Sequence, residues 1–160
     1  MPEKRFMPID AAKYEKLSSF CSFQERSTQQ VFDYALKLSI EKEQIPEYIA
    51  LLIQNNYLNE ERFAASFIRG KQKLKSWGKL KIKLHLKRHG IAESTIERSW
   101  NNEITAEDYN QVLVKILEKK LSQIKGKSPL QIKQACFRYA QSKGYSADEI
   151  FKSMHKLGVF

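Results

Sequence analysis

Ten of the 31 residues from Arg62 to Ala92 are Lys or Arg, and none is Asp or Glu. Nine of them fall close together: Arg69, Lys71, Lys73, Lys75, Lys79, Lys81, Lys83, Lys87 and Arg88, with Trp77 among them. The rest of the 160-residue chain holds 18 basic and 18 acidic residues, so the whole formal charge of +10 sits in this window. Such a cluster can recognise a polyanion or an acidic protein surface. Phosphates attract the cations, and release of condensed counterions drives association at low salt. An aromatic ring inside the cluster can stack on a base. A solvated lysine-coated helix face would give a similar pattern, but so long a run without acids favours polyanion contact. For Trp77 the expectation is inward packing beside Gly78, with stacking on a base the alternative.

Other chemistry has weaker support. His85 and His89 stand four apart and would align on a helix. Two imidazoles can share a metal ion, but no third ligand stands in the window and the lysines would repel a cation, so no metal is expected. His155 falls in an amphipathic last helix. The adjacent acids Glu60–Glu61, Glu107–Asp108 and Asp148–Glu149 fall in first helical turns, where they complement the helix dipole. No Gly-rich phosphate loop, GxSxG or HExxH occurs, so no catalytic residue, enzyme activity or cofactor is expected. Cys21 and Cys136 lie in apolar-periodic segments and are expected to be buried thiols rather than a disulfide framework. The N-terminus has no apolar run like a signal peptide, and no stretch is long and apolar enough to span a membrane. A reducing, cytosolic setting is the natural reading.

The elements that would position these residues read as helices throughout. Asp10 caps a helix from Ala11 to about Cys21, with Tyr14, Leu17 and Cys21 inward. Ser27 and Gln30 form a capping-box pattern before Val31, Tyr34, Ala35 and Leu38. Pro46 suits the first turn of a third helix, with Ile49, Leu52 and Ile53 inward. Asn59 opens a helix to about Lys75, its buried stripe marked by Phe63, Ala64, Phe67, Ile68 and Leu74. Gly78 and Gly90 bound a short segment, and Ile96 and Trp100 follow four apart. Thr105 caps a long helix bearing Tyr109, Val112, Leu113, Ile116, Leu117 and Leu121. Ser128 with Gln131, and Ser146 with Glu149, repeat the capping box, and Gly144 is placed to stop the helix between them.

The middle-helix starts at Ser27, Gly78 and Ser128 recur with a period of about 50 residues, as in an array of three-helix units. One segment resists this reading. Residues 79–86 alternate Lys or His with Leu or Ile, the period of a half-buried strand. As a helix, Ile82 and Leu86 share one face while Leu80 and Leu84 stand nearly opposite. No second alternating segment exists to pair with a strand, so helix is expected.

Asn56-Tyr57-Leu58-Asn59-Glu60-Glu61-Arg62-Phe63-Ala64 resembles the GYLDDERFA element of the RecX family of recombination regulators. Phe67-Ile68-Arg69 continues it as the family's FVR does. Gly78, Lys81, Ile82, Leu86, Gly90 and Ile91 fall at the spacing of its G-x-x-[KR]-I-x-x-x-L-x-x-K-G-[IV] pattern, and Ile96 falls where the family has its I-x-x-A-L helix. The resemblance is strong over about 45 residues and looser in the flanks. It implies an all-α fold of three tandem three-helix repeats in an elongated, curved array. It implies a partner, the RecA recombinase and its filament on single-stranded DNA, whose strand exchange, ATP hydrolysis and co-protease activity are restrained. It also implies a cytoplasmic monomer without catalytic residues. Departures from the family pattern are His89 for Lys, Asn56 for Gly, Asn59 for Asp, and Leu80 and Leu84 for polar residues. They bear on partner affinity more than on fold.

On this reading residues 1–9 are a flexible tail, 10–57 a first helical repeat, 58–104 a basic second repeat and 105–160 a third. The nine clustered basic residues are the candidate contacts to RecA or nucleic acid, with single-stranded DNA a second partner. Two alternatives stay open. One is a nucleic-acid-binding helical module acting without RecA, with residues 78–89 as a reading helix. The other is an adaptor for an acidic protein, marked by an apolar surface stripe at Leu80 and Leu84.

Overall fold

The computed structural model describes residues 7–159. The flexible tail expected at 1–9 lies outside the described residues through position 6. Met7 and Pro8 are held by their carbonyls, which accept from Gln44 Nε2 at 3.0 and 3.1 Å. Regular structure among the described residues is entirely helical, with no strand. The helices are α1 (Ala11–Phe23), α2 (Thr28–Lys37), α3 (Ile45–Gln54), α4 (Glu60–Arg69), α5 (Lys79–Arg88), α6 (Glu93–Glu103), α7 (Ala106–Gln123), α8 (Pro129–Lys143) and α9 (Ala147–Lys156). A π-helical turn, Gly70–Leu74, extends α4. The middle helices α2, α5 and α8 begin at Thr28, Lys79 and Pro129, close to the expected 50-residue period.

Local chemistry explains most boundaries. Ser27, Ser128 and Ser146 each accept from the N–H three residues on, while Gln30, Gln131 and Glu149 reach back to the cap N–H. These reciprocal bonds satisfy donors the helix itself leaves orphaned. Asp10 and Thr105 cap α1 and α7 in the simpler one-way manner. The alternating segment at 79–86 is helical, with Ile82 and Leu86 fully buried.

The chain gathers into two compact units. Among the described residues, the first holds those up to Phe63 with His89–Ile91. Its core packs Leu17, Cys21, Val31, Ala35, Ile45, Tyr48, Leu52 and Leu58. Burial pushes the Cys21 thiol up to about 11, so it stays protonated and unreactive. Ile53, expected inward, is exposed, because Ile45, Tyr48 and Leu52 form the helical stripe and position 53 falls beside it. The second unit comprises Ala64–Arg88 and the residues from Ala92 onward. Ile68, Ile82, Leu86, Ile96, Leu113, Leu117, Cys136, Ala140, Ile150 and Met154 are among its buried side chains.

The end of α4 corrects a sequence expectation. Leu74, placed on the buried stripe with Phe63 and Phe67, is 83% exposed, while Gln72 is buried. A π turn bonds i to i+5 and so inserts about one residue relative to an α-helix. That insertion swings Gln72 into line with Ala64 and Ile68 and turns Leu74 outward. The buried amide is not left unsatisfied: Gln72 Nε2 donates to the Trp77 carbonyl at 2.7 Å and lies 3.4 Å from the Tyr145 hydroxyl.

Candidate binding face around helix α5

The start of α5 is built on the turn between α8 and α9. Gly78 N–H donates to the Lys143 carbonyl at 2.7 Å, Lys79 N–H to the Tyr109 hydroxyl at 2.9 Å, and Leu80 N–H to the Gly144 carbonyl at 3.1 Å. Three donors that a helix start leaves orphaned are therefore satisfied by a distant part of the chain. The approach requires glycine on both sides. A Cβ on Gly78 would lie 2.3 Å from the Gly144 carbonyl carbon, and one on Gly144 would lie 2.4 Å from Lys81 Cβ. Gly144 also has φ of +101°, which stops α8. Just before α5, Ser76 takes a left-handed φ of +57°, and the Tyr145 hydroxyl donates to its carbonyl at 2.9 Å. Burial pushes the Tyr145 phenol up to about 12 and the Tyr109 phenol higher still, so both remain hydroxyl donors.

With its start fixed, α5 presents its side chains in stripes. Ile82 and Leu86 face the core. Lys79, Lys83 and Lys87 recur every four residues along one edge, beside α6. Lys79 Nζ pairs with Glu97 at 2.9 Å, Lys83 Nζ with Glu93 at 2.5 Å and Glu97 at 3.2 Å, and Lys87 Nζ with Glu93 at 3.6 Å. Hydrogen bonds from Lys83 hold the Glu93 carboxyl below its ordinary range, and hydrogen bonds led by Lys79 do the same for Glu97. Donating these bonds to Glu93 and Glu97 in turn raises the Lys83 ammonium. Beyond this edge Leu80 and Leu84 are 57% and 49% exposed.

Lys81, on the far edge, meets a different environment. Its ammonium lies 4.3 Å from the centre of the Trp77 ring, and that of Lys71 lies 4.8 Å from the same centre. Trp77 is half-buried, with its ring 4.8 Å from that of His85. It is thus neither the fully packed residue that was expected nor a free platform. Lys73, Lys75 and Arg88 are exposed. Among the described residues no carboxylate pairs with Lys71, Lys73, Lys75, Lys81 or Arg88. Arg69 pairs with Glu103 at 2.9 Å.

The nine candidate residues therefore divide in two. Among the described residues, four meet carboxylates and five meet none. The acid-free window ends at Ala92, one residue short of the helix that brings Glu93 and Glu97 back along α5. It also leaves out Lys143, whose ammonium lies 3.4 Å from the Lys75 carbonyl, since nothing local links positions 75 and 143. The histidines take separate surroundings: His85 lies tilted against Trp77, and His89 sits edge-on to Phe63, with Nδ1 3.4 Å from Ser27 Oγ.

Two departures from the family pattern have local explanations. Asn56 adopts a φ of +63°, a left-handed conformation that Asn tolerates better than most residues with a Cβ. Asn59 Oδ1 accepts the Arg62 N–H at 3.0 Å, the capping role an Asp would also play. Arg62 in turn bridges Glu25, the Asn56 side chain and the Asn56 carbonyl.

Among the described residues no group of three His, Cys, Asp or Glu is placed to hold a metal ion, and no helix is long and apolar enough to cross a membrane. Three-helix units carrying a partly unneutralised basic face define the class: an all-helical repeat protein with a concentrated cationic surface. The comparisons with known proteins are specific. Residues 59–99 match the family model described as RecX, second three-helix domain, and residues 107–154 match that described as RecX, third three-helix domain. The chain belongs to the RecX family. It is 33% identical over 125 residues to a regulatory protein RecX of Clostridium perfringens, covering 77% of this chain and 58% of that one. It is 30% identical over 144 residues to that of Bacillus subtilis, covering 90% and 54%. The chain thus spans somewhat over half the length of these curated relatives. A crystal structure of RecX from Lactobacillus salivarius superposes with a TM-score of 0.82 at 24% identity, covering 94% of this chain and 97% of that one.

Proposed function

We propose that this chain regulates the RecA recombinase by binding RecA or its filament on single-stranded DNA, and that it restrains strand exchange and ATP hydrolysis there. The observation that carries the reading is membership of a family whose named members are regulatory proteins. The basic face supports it, because filamentous nucleoprotein is a polyanion. The contacts are drawn from Arg69, Lys71, Lys73, Lys75, Lys79, Lys81, Lys83, Lys87 and Arg88. Those without an internal carboxylate contribute most, since they exchange no existing ion pair for the new one. The division into helical repeats at 10–57, 58–104 and 105–160 belongs to the same proposal. Several such units on one chain would engage more than one RecA protomer, and each contact raises the effective concentration of the next. The chain would act as a cytoplasmic monomer and contribute no reacting group.

The test is RecA's DNA-dependent ATPase with the chain titrated in. A dose-dependent fall is expected, and no change at saturation would overturn the proposal. Salt-sensitive DNA binding with an unchanged ATPase would instead select the nucleic-acid-binding module acting without RecA.

A further inference from the structure

Two ammonium groups converge on one indole at the far edge of α5. Lys71 comes from the π turn and Lys81 from α5, and both hold to the ring centre of Trp77, at 4.8 and 4.3 Å. Lys71 also reaches the Phe67 ring at 5.4 Å. His85 closes beside the indole and, at 6.5 Å, stacks over Phe67. Neither lysine meets a carboxylate among the described residues.

Elsewhere on the same helix the chain supplies an acid for each lysine of a stripe. Here it supplies aromatic faces, and a half-exposed cation–π contact is weaker than a charge-assisted bond to phosphate. The two ammonium groups are therefore held at one ring by weak intramolecular contacts. The patch continues in both directions. Lys81 Nζ lies 3.5 Å from the Ser142 carbonyl, and Lys143 Nζ lies against the Lys75 carbonyl.

We propose that Phe67, Lys71, Trp77, Lys81 and His85 form a subsite for one nucleotide of a single strand. The lysines leave the ring for the phosphodiester, and the uncovered indole stacks on the base. Only an unpaired strand offers a free base face, whereas duplex bases are covered by their neighbours. An acidic polypeptide would satisfy the charges but not the ring. The inference rests on the polyanion-contact part of the proposed function. It narrows that contact from nine basic residues to two lysines and a ring.

The experiment titrates the full chain with oligothymidylate in the absence of RecA and follows intrinsic tryptophan fluorescence. The other indole, Trp100, is buried against Tyr109, so quenching is expected to come from Trp77. Trp77→Phe should abolish the quench, and Trp77→Ala should weaken binding roughly tenfold, the scale of one lost base stack. Lys71→Ala with Lys81→Ala should weaken it by about as much. It should also lower the log–log salt slope by about 1.4, the value for two single-strand phosphate contacts. Lys115→Ala with Lys119→Ala, exposed on α7 outside the basic cluster, should stay within about twofold of the parent. Circular dichroism melts check folding, and Lys71→Gln with Lys81→Gln repeats the comparison if the alanine pair unfolds. A quench that survives in Trp77→Phe, or equal losses from the two lysine pairs, overturns the subsite. So does equally tight binding of the duplex or of polyglutamate. Because RecA is absent, this outcome and the ATPase outcome fail independently.

Discussion

The two long edges of α5 carry the same residue type and opposite circumstances. Lys79, Lys83 and Lys87 face Glu93 and Glu97, and their charge is spent on holding α5 to α6. Lys81 faces Trp77 together with Lys71, and that charge remains available. The difference shows that a lysine's position in a basic run says little about its role. What matters is whether the next helix returns with acids on the facing side. Surface ion pairs contribute little stability each, so the paired edge is best understood as setting register and cancelling charge.

The most damaging way to disturb this contrast is to move the frame both edges share. Gly78→Ala places a Cβ against the Gly144 backbone and should cost roughly 3 kcal/mol in urea unfolding, because neither backbone can give way without losing its hydrogen bonds. Removing the acids instead should make the paired edge resemble the open one. Glu93→Gln with Glu97→Gln should raise affinity for oligothymidylate about threefold and steepen its salt dependence as the three lysines are released, with the thermal midpoint lowered by no more than about two degrees. Unchanged affinity would mean that this edge cannot reach the ligand even when uncompensated.

Acid should perturb the contrast least. The Glu93 and Glu97 carboxyls are held below their ordinary range, so their contribution to stability is complete above the ordinary glutamate value and is lost as pH falls through the depressed values. Thermal melts below about pH 4 should therefore show a small loss in the parent that the double Gln variant lacks.

What could be read in advance was local. Ser27, Ser128 and Ser146 bond three residues along the chain, and the motif is complete in the sequence itself. The helical reading of 79–86 rested on the lack of a pairing strand, and the faces it assigned to Ile82 and Leu80 are the ones observed. Leu74 went astray because a π turn has no strong sequence signal and shifts every residue after it. The split among the lysines was hidden because it depends on Glu93 and Glu97 returning beside α5 after the turn at Gly90. Trp77 fell between packing and contact because its cover is a pair of lysines rather than a core.

The Gly78–Gly144 approach has a mechanical meaning. The bonds across it run from peptide to peptide, with no rotatable side-chain torsion between donor and acceptor. A tug on α5 by anything gripping its lysines would pass into the α8–α9 turn almost without slack, as through a rivet rather than a spring. Side chains around the joint can tune the grip on a ligand, but its stiffness is set by two residues that have no side chain to tune.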